Sequence, residues 1–325
     1  MAENDDWKRH AELYMSDGTI VLLAESTLFR VYAGLLATQS LVFKGLTESS
    51  QHLPDDAESY DGCPLVKLQD DNPEEVAYFL KATMGDQPVS YPMASAILRL
   101  SSKYMVQSLR RQAIKHFCRI IPQSYNEIGK KESPEKIFGS DRLGWPHPFQ
   151  LLSLVRECQL KIFLPWRYYA VCARGFDKIV RGETMFNGKE IRLDESDTCI
   201  ALLGWNSLCT TTRKIRIDAI LSSAKDCQGG SCNNAMRLAW MKRAALYVGS
   251  EALHQWEMFT YLAQGEFSSP NEVAKDFVIR YGRPCHGCTK AWLRKEECAR
   301  AAIWSKLPSI FDLPDWEMLK LQEEP

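Results

Sequence analysis

Residues 17–43 restrict the fold more than any other part of the chain. Ile20, Val21, Leu22 and Leu23 form an unbroken β-branched and leucine run, and Ala24-Glu25-Ser26-Thr27 interrupts it. Leu28-Phe29-Arg30-Val31 then resumes as an alternating pattern. Two buried strands joined by a short polar turn are the expected result. The apolar spacing changes to a helical one at Leu35, Leu36 and Gln39, and Ser40 is placed to cap a second helix carrying Val42, Phe43 and Leu46.

The next segment repeats this economy of signals. Pro64-Leu65-Val66-Lys67-Leu68 reads as a third strand, followed by Asn72-Pro73-Glu74-Glu75. Asparagine caps well, proline suits the first helical position, and the two glutamates favour the positive end of the helix dipole. Val76, Phe79, Leu80, Thr83 and Met84 make the apolar stripe of that helix. Ala94, Ile97, Leu98, Ser101 and Tyr104 define another, and Leu109, Ala113, Phe117, Ile120 and Ile121 a third that Pro122 ends. Phe29, Val31, Leu36, Phe43, Phe79, Leu98 and Tyr104 are the expected core.

Taken in order, the aspartate before the first strand, Phe29-x-Val31, Leu36-Ala37-x-x-Ser40 and Phe43 resemble the opening of a BTB/POZ domain, and the resemblance runs over residues 14–121. More loosely, the whole chain is similar to the expanded BTB-domain proteins of mushroom-forming fungi. Tyr32 stands where the family pattern has histidine. The resemblance implies an α+β fold, with a small sheet flanked by helices, that serves self-association or partner capture. It makes Asp17, Tyr32, Leu46 and Glu48 interface candidates. Asp17 has an equal reading as a turn cap. Leu46-Thr47-Glu48 occupies the place of an apolar-x-Glu contact with cullin, and it also reads as a helix end. The long-helix dimers of the family need a helix before the first strand. Residues 7–15 leave room for roughly two turns at 3.6 residues per turn, so self-association through an exposed strand edge is the expected substitute.

A chain of 325 residues exceeds what one core usually supports. Residues 122–147, with Gly129, Pro134, Gly139, Pro146 and Pro148 around them, read as a linker. Residues 148–325 read as a mainly α-helical domain whose first part is BACK-like by the same resemblance. There Leu151, Leu152, Val155 and Cys158 share a stripe, Pro165 opens a helix, and Asp194-Glu195-Ser196-Asp197 gives an acidic entry to another. Trp292, Trp304 and Trp316 are the expected anchors of the C-terminal helix.

A formal net charge of −1 argues against direct nucleic-acid contact as the main role. The acidic start Met1-Ala2-Glu3-Asn4-Asp5-Asp6 lacks the basic and apolar parts of a signal peptide, and no window reaches the roughly 18 apolar residues of a membrane span. Cytosol or nucleus is expected, with no membrane partner and reduced cysteines. Two cysteine pairs stand apart from the rest: Cys227 with Cys232, and Cys285 with Cys288, each around glycine. Two readings stand. The four thiolates suit a structural Zn²⁺ with His286 or Cys298 as substitutes, or they are reduced thiols in unrelated turns.

No phosphate loop, nucleophile elbow, His-Glu-x-x-His or dinucleotide glycine pattern is present, so catalysis is not expected. The expectation is a non-enzymatic interaction protein. The alternatives are a substrate adaptor of a cullin-RING ubiquitin ligase and a transcription-associated regulator with a zinc-stabilised helical domain.

Overall fold

The structure is a computed structural model, and it describes residues 6–51, 58–85, 90–128, 130–138, 146–185, 187–221 and 286–321. The chain is mixed α and β and divides into two compact units, residues 1–120 with 132–146 and residues 121–131 with 147–325.

The first unit is built on a sheet of order β1-β3-β2-β5-β4. Its strands are β1 (Lys8–Tyr14), β2 (Ile20–Ala24), β3 (Thr27–Val31), β4 (Ser59–Tyr60) and β5 (Cys63–Leu68). The β2–β3 hairpin pairs Ile20 with Val31, Leu22 with Phe29 and Ala24 with Thr27, turning at Glu25 in the left-handed region with φ 48°. β5 lies parallel to β2, with Val21 beside Leu65 and Ala24 beside Leu68. A parallel neighbour demands a crossover, which α1 (Ala33–Gln39) and α2 (Leu41–Gln51) supply. β2 is buried along its whole length, as its continuous apolar run requires. Its odd-numbered side chains Val21 and Leu23 join Leu28 and Cys63 in one cluster, against which Trp7, Tyr14, Tyr60 and Leu65 pack.

Three further helices follow: α3 (Pro73–Thr83), α4 (Tyr91–Lys103) and α5 (Gln107–Cys118). α2, α3 and α4 each begin at a side-chain cap. Asn72 accepts the Glu74 and Glu75 N–H groups at 2.9 and 3.3 Å, Ser90 accepts that of Met93 at 3.4 Å, and Ser40 caps α2 by accepting the Phe43 N–H at 3.0 Å. All seven expected core residues are buried. Phe43 stacks on Tyr104 at 4.7 Å between centroids, and Phe79 lies 5.8 Å from Tyr104. The Tyr104 hydroxyl donates to Asp71, which Lys103 also reaches at 2.8 Å. Burial, followed by the bond to that carboxylate, pushes the Tyr104 phenol well above the ordinary tyrosine range.

Two sequence expectations need revision. Residues 7–15 hold a strand rather than two turns of helix: β1 pairs parallel to β3, with Lys8 beside Thr27 and Arg9 beside Leu28. Asp61 is the physical reason, because it accepts from Arg9 at 2.7 Å and from the Tyr14 hydroxyl at 2.5 Å, fixing the segment extended. His10 Nδ1 accepts the Glu12 and Leu13 N–H groups at 3.2 and 3.1 Å, so the middle of this edge strand bulges and its donors are spoken for. Edge pairing is therefore restricted there. The segment read as a linker also carries a 3₁₀ turn at Tyr125–Glu127 and α6 (Pro134–Phe138). Phe138 is buried edge-on against Tyr91 in the first unit, while Tyr125 and Ile128 pack on the core of the second.

The second unit contains α7 (Pro148–Glu157), α8 (Leu164–Cys172), α9 (Phe176–Arg181), a hairpin of β6 (Glu183–Thr184) and β7 (Glu190–Ile191), α10 (Glu195–Leu221), α11 (His286–Ile310) and α12 (Trp316–Leu321). α8 and α10 run side by side in the same direction. Tyr168 meets Asp197, Cys172 reaches the Ala201 carbonyl at 3.4 Å, and the Phe176 ring lies 5.6 Å from Trp205. Trp304 and Trp316 stack at 4.9 Å, and the Trp316 indole donates to the Trp304 carbonyl at 3.0 Å, so they anchor α12 on α11. The Trp292 side chain lies outside the described residues.

Gly204 on α10 faces the buried Phe311 ring, into which any Cβ would run. Gly204→Ala gains up to about 1 kcal/mol in helix propensity and loses about 1–3 kcal/mol to overpacking. Net destabilisation of about 1 kcal/mol is expected in urea unfolding, and a stabilised variant would contradict the close approach.

A charged cluster fixes the entry to the second unit. His147 caps α7, its Nδ1 accepting the Phe149 N–H at 3.2 Å, while Nε2 lies 3.2 Å from Glu183. Arg174 and Lys178 also donate to Glu183, at 2.9 and 2.7 Å for Nε and Nζ. Burial alone would raise the Glu183 carboxyl, but the two cations outweigh it and hold it at about 2, below the ordinary 4.5. Burial, with Arg174 and Lys178, depresses His147 and keeps it neutral as a cap. Both groups have folded pKa values below their unfolded ones. Their stabilisation is present above the ordinary histidine range and falls in two stages as the pH drops, first through that range and then from about 4.5 towards 2. Urea midpoints measured from pH 7 to pH 3 should decline, and Glu183→Gln should flatten the acid limb. An unchanged acid limb in that variant would contradict the assignment.

Candidate interaction surface

The expected interface residues Asp17 and Tyr32 are brought together. The Tyr32 hydroxyl donates to both Asp17 carboxylate oxygens at 2.9 Å, across the turn that links β1 to β2 and the entry to α1. That bond, with a smaller contribution from burial, raises the phenol above its ordinary range and keeps it a donor. Both residues are exposed, so the pair serves as a surface feature and a local brace at once. Leu46 is half-buried on α2, and the Glu48 side chain lies outside the described residues.

A further group of residues, unmarked by any motif, gathers at one end of the same unit. Ser40 Oγ donates to the Tyr104 carbonyl at 2.5 Å, and Gln39 Nε2 donates to the Thr83 carbonyl at 3.4 Å. These bonds tie the α1–α2 junction to the ends of α3 and α4. They also bring their chain neighbours to one place: Leu41 beside Ser40, Met84 beside Thr83, and Met105 beside Tyr104. Leu41 is 70% exposed, Met105 47% and Met84 40%. Leu35 on α1 is also exposed, at 36%. A single exposed leucine needs no explanation, whereas several large apolar side chains held at one end by buried polar ties form a surface suited to protein contact. Methionine adds shape tolerance, since its unbranched thioether repacks against different partners.

Arg111 and Lys115 stand exposed one turn apart on α5, which follows Met105 and bears no acidic residue. α5 thus carries exposed positive charge.

The metal candidates stay untouched by this geometry. Cys227, Cys232 and Cys285 lie outside the described residues, as does the side chain of Cys288, whose backbone is in the first turn of α11. Among the described residues no three His, Cys, Asp or Glu side chains converge to hold a metal ion. The described cysteines are free thiols. Also among the described residues, no helix is long and apolar enough to cross a membrane.

No protein-family model matches the chain. A search of curated proteins likewise finds no match.

Proposed function

We propose that this is a non-enzymatic protein interaction module, in which a BTB-like N-terminal unit captures a protein partner and the helical second unit makes a separate contact. The observation that carries the reading is the apolar end formed by Leu41, Met84 and Met105, exposed on a rigid scaffold. Two further features support it. The order hairpin, two helices, parallel third strand and three helices is the one the resemblance to BTB domains implies. The interface pair of Asp17 and Tyr32 is assembled on the surface. Self-association through a helix preceding the first strand has no support, since that segment is β1.

Affinity capture with the full chain from cell extract, followed by mass spectrometry, tests the reading. Recovery of a stoichiometric protein partner is the expected result. A cullin among the recovered proteins would assign the adaptor role, and chromatin proteins would assign a transcriptional one. Failure to retain any protein above a bead control would contradict the proposal.

A further inference from the structure

His10 holds β1 in a way that depends on its own charge. Its Nδ1 accepts two backbone donors, the N–H groups of Glu12 and Leu13, two and three positions further along the chain. Asn72 makes the same pattern at the start of α3, where its side-chain oxygen accepts from Glu74 and Glu75. An amide oxygen does this at any pH. An imidazole nitrogen does it only while the ring is neutral, with a lone pair on Nδ1 and the proton on Nε2, because both nitrogens of an imidazolium are donors.

The setting decides what protonation does. The half-buried His10 ring stacks on Phe29 of β3, with 5.1 Å between centroids and 28° between planes. The charged groups that bear on it are Lys81, from α3, and Glu12 on its own strand, and these two pair with each other at 2.5 Å. Burial, and after it Lys81, lowers the histidine below its ordinary range against a smaller opposing effect of Glu12. The register of β1 against β3 shifts between Arg9 and Tyr14, the stretch that His10 bridges. A proton on Nδ1 would face two N–H groups and leave them without their acceptor, so the bulge would lose the bonds that set it.

We propose that His10 is a protonation switch in the β1 edge: neutral imidazole keeps the strand bulged and its donors occupied, and imidazolium releases the bulge and frees those donors. The switch rests on the hydrogen bonds of β1 and not on the apolar end formed by Leu41, Met84 and Met105. The folded pKa of His10 lies below the unfolded one, so the bulge is intact above the ordinary histidine range and is lost as the pH falls through the lowered value.

Nitrogen-15 NMR of the full chain, titrated from pH 8 to pH 4, tests the proposal, with second-unit resonances as the internal reference for folding. The expected result is a His10 Nδ1 without a proton at the start, and amide resonances of Glu12 and Leu13 that move with the same midpoint as His10 protonation. His10→Asn replaces the titrating acceptor by the kind that Asn72 uses. It should hold both amides at their hydrogen-bonded positions and remove that midpoint, whereas His10→Ala should place them near their low-pH positions from the start. Glu12 and Leu13 amides that stay still while His10 titrates would overturn the proposal. So would a His10→Asn protein whose amides follow the wild-type midpoint, or a His10 that remains neutral down to pH 4.

Discussion

Replacing Phe43 with alanine is expected to remove about 3–5 kcal/mol of stability, the usual cost of truncating a fully buried phenylalanine. Phe43 is 1% exposed and sits on the first full turn of α2, where the Ser40 cap holds the helix entry. Its ring stacks on Tyr104 and lies 6.5 Å from Phe79, so it joins α2 to α3 and to the end of α4 at one point. The three rings touch one another, and the cavity left by alanine cannot close without displacing Tyr104. That displacement would break the bond from Tyr104 to the buried Asp71, adding a polar cost to the apolar one. Phe43→Leu, which retains most of the volume, should lose less than half as much. Urea unfolding of the full chain followed by near-UV circular dichroism separates these outcomes. A loss under about 1 kcal/mol for Phe43→Ala would mean the ring does not occupy the core described.

Asp197→Ala should have the largest effect in the second unit. Asp197 is 2% exposed, and its Oδ1 accepts from the Tyr168 hydroxyl at 2.6 Å and from Arg156. α7, α8 and α10 thereby meet on one oxygen. Alanine would leave a buried phenol and a guanidinium without their shared acceptor. Breaking one partner of a buried ion pair costs about 3–5 kcal/mol. The Arg156 side chain is 37% exposed and regains part of its hydration, which places the expectation at about 3 kcal/mol or slightly less. Asp197→Asn keeps an acceptor oxygen for Tyr168 and should cost roughly half of that. Equal losses for Ala and Asn would show that charge dominates the network; negligible loss for both would contradict its existence.

Legibility in the sequence followed distance along the chain. The Asn72 and Ser40 caps depend on residues two or three positions away, the β2–β3 hairpin joins two runs separated only by a short polar turn, and composition marks all three directly. β1 was illegible for the opposite reason. Lys8-Arg9-His10-Ala11-Glu12-Leu13-Tyr14 has no alternating apolar pattern, and the residue that holds it extended is Asp61, 52 positions from Arg9. Asp197 belongs to the acidic helix entry that the sequence marks, and Asp194 accepts its N–H at 2.6 Å. Its inward turn towards Tyr168 and Arg156 depends on helix packing that no local pattern encodes. The proline- and glycine-rich 122–147 segment looked featureless because its structure is short, and Phe138 gains its meaning only from Tyr91.

The candidate surface divides in the same way. Asp17 and Tyr32 came from a motif, and the structure joins them. Leu41, Met84 and Met105 had no such marker: each sits at or near a helix end, where an apolar residue reads equally well as core. The two hydrogen bonds made by Ser40 and Gln39 join residues 64 and 44 positions apart, a proximity that no local pattern encodes.

Affinity capture with wild-type bait and with bait carrying Leu41→Glu and Met105→Glu most directly tests whether the N-terminal unit binds through its apolar end. Both positions are exposed, so the melting temperature should stay within about 2 °C of the wild type, as surface changes usually cost under 0.5 kcal/mol. Loss of the wild-type partner from the doubly substituted bait, at unchanged melting temperature, is the predicted result. Undiminished recovery of the same partner would contradict it.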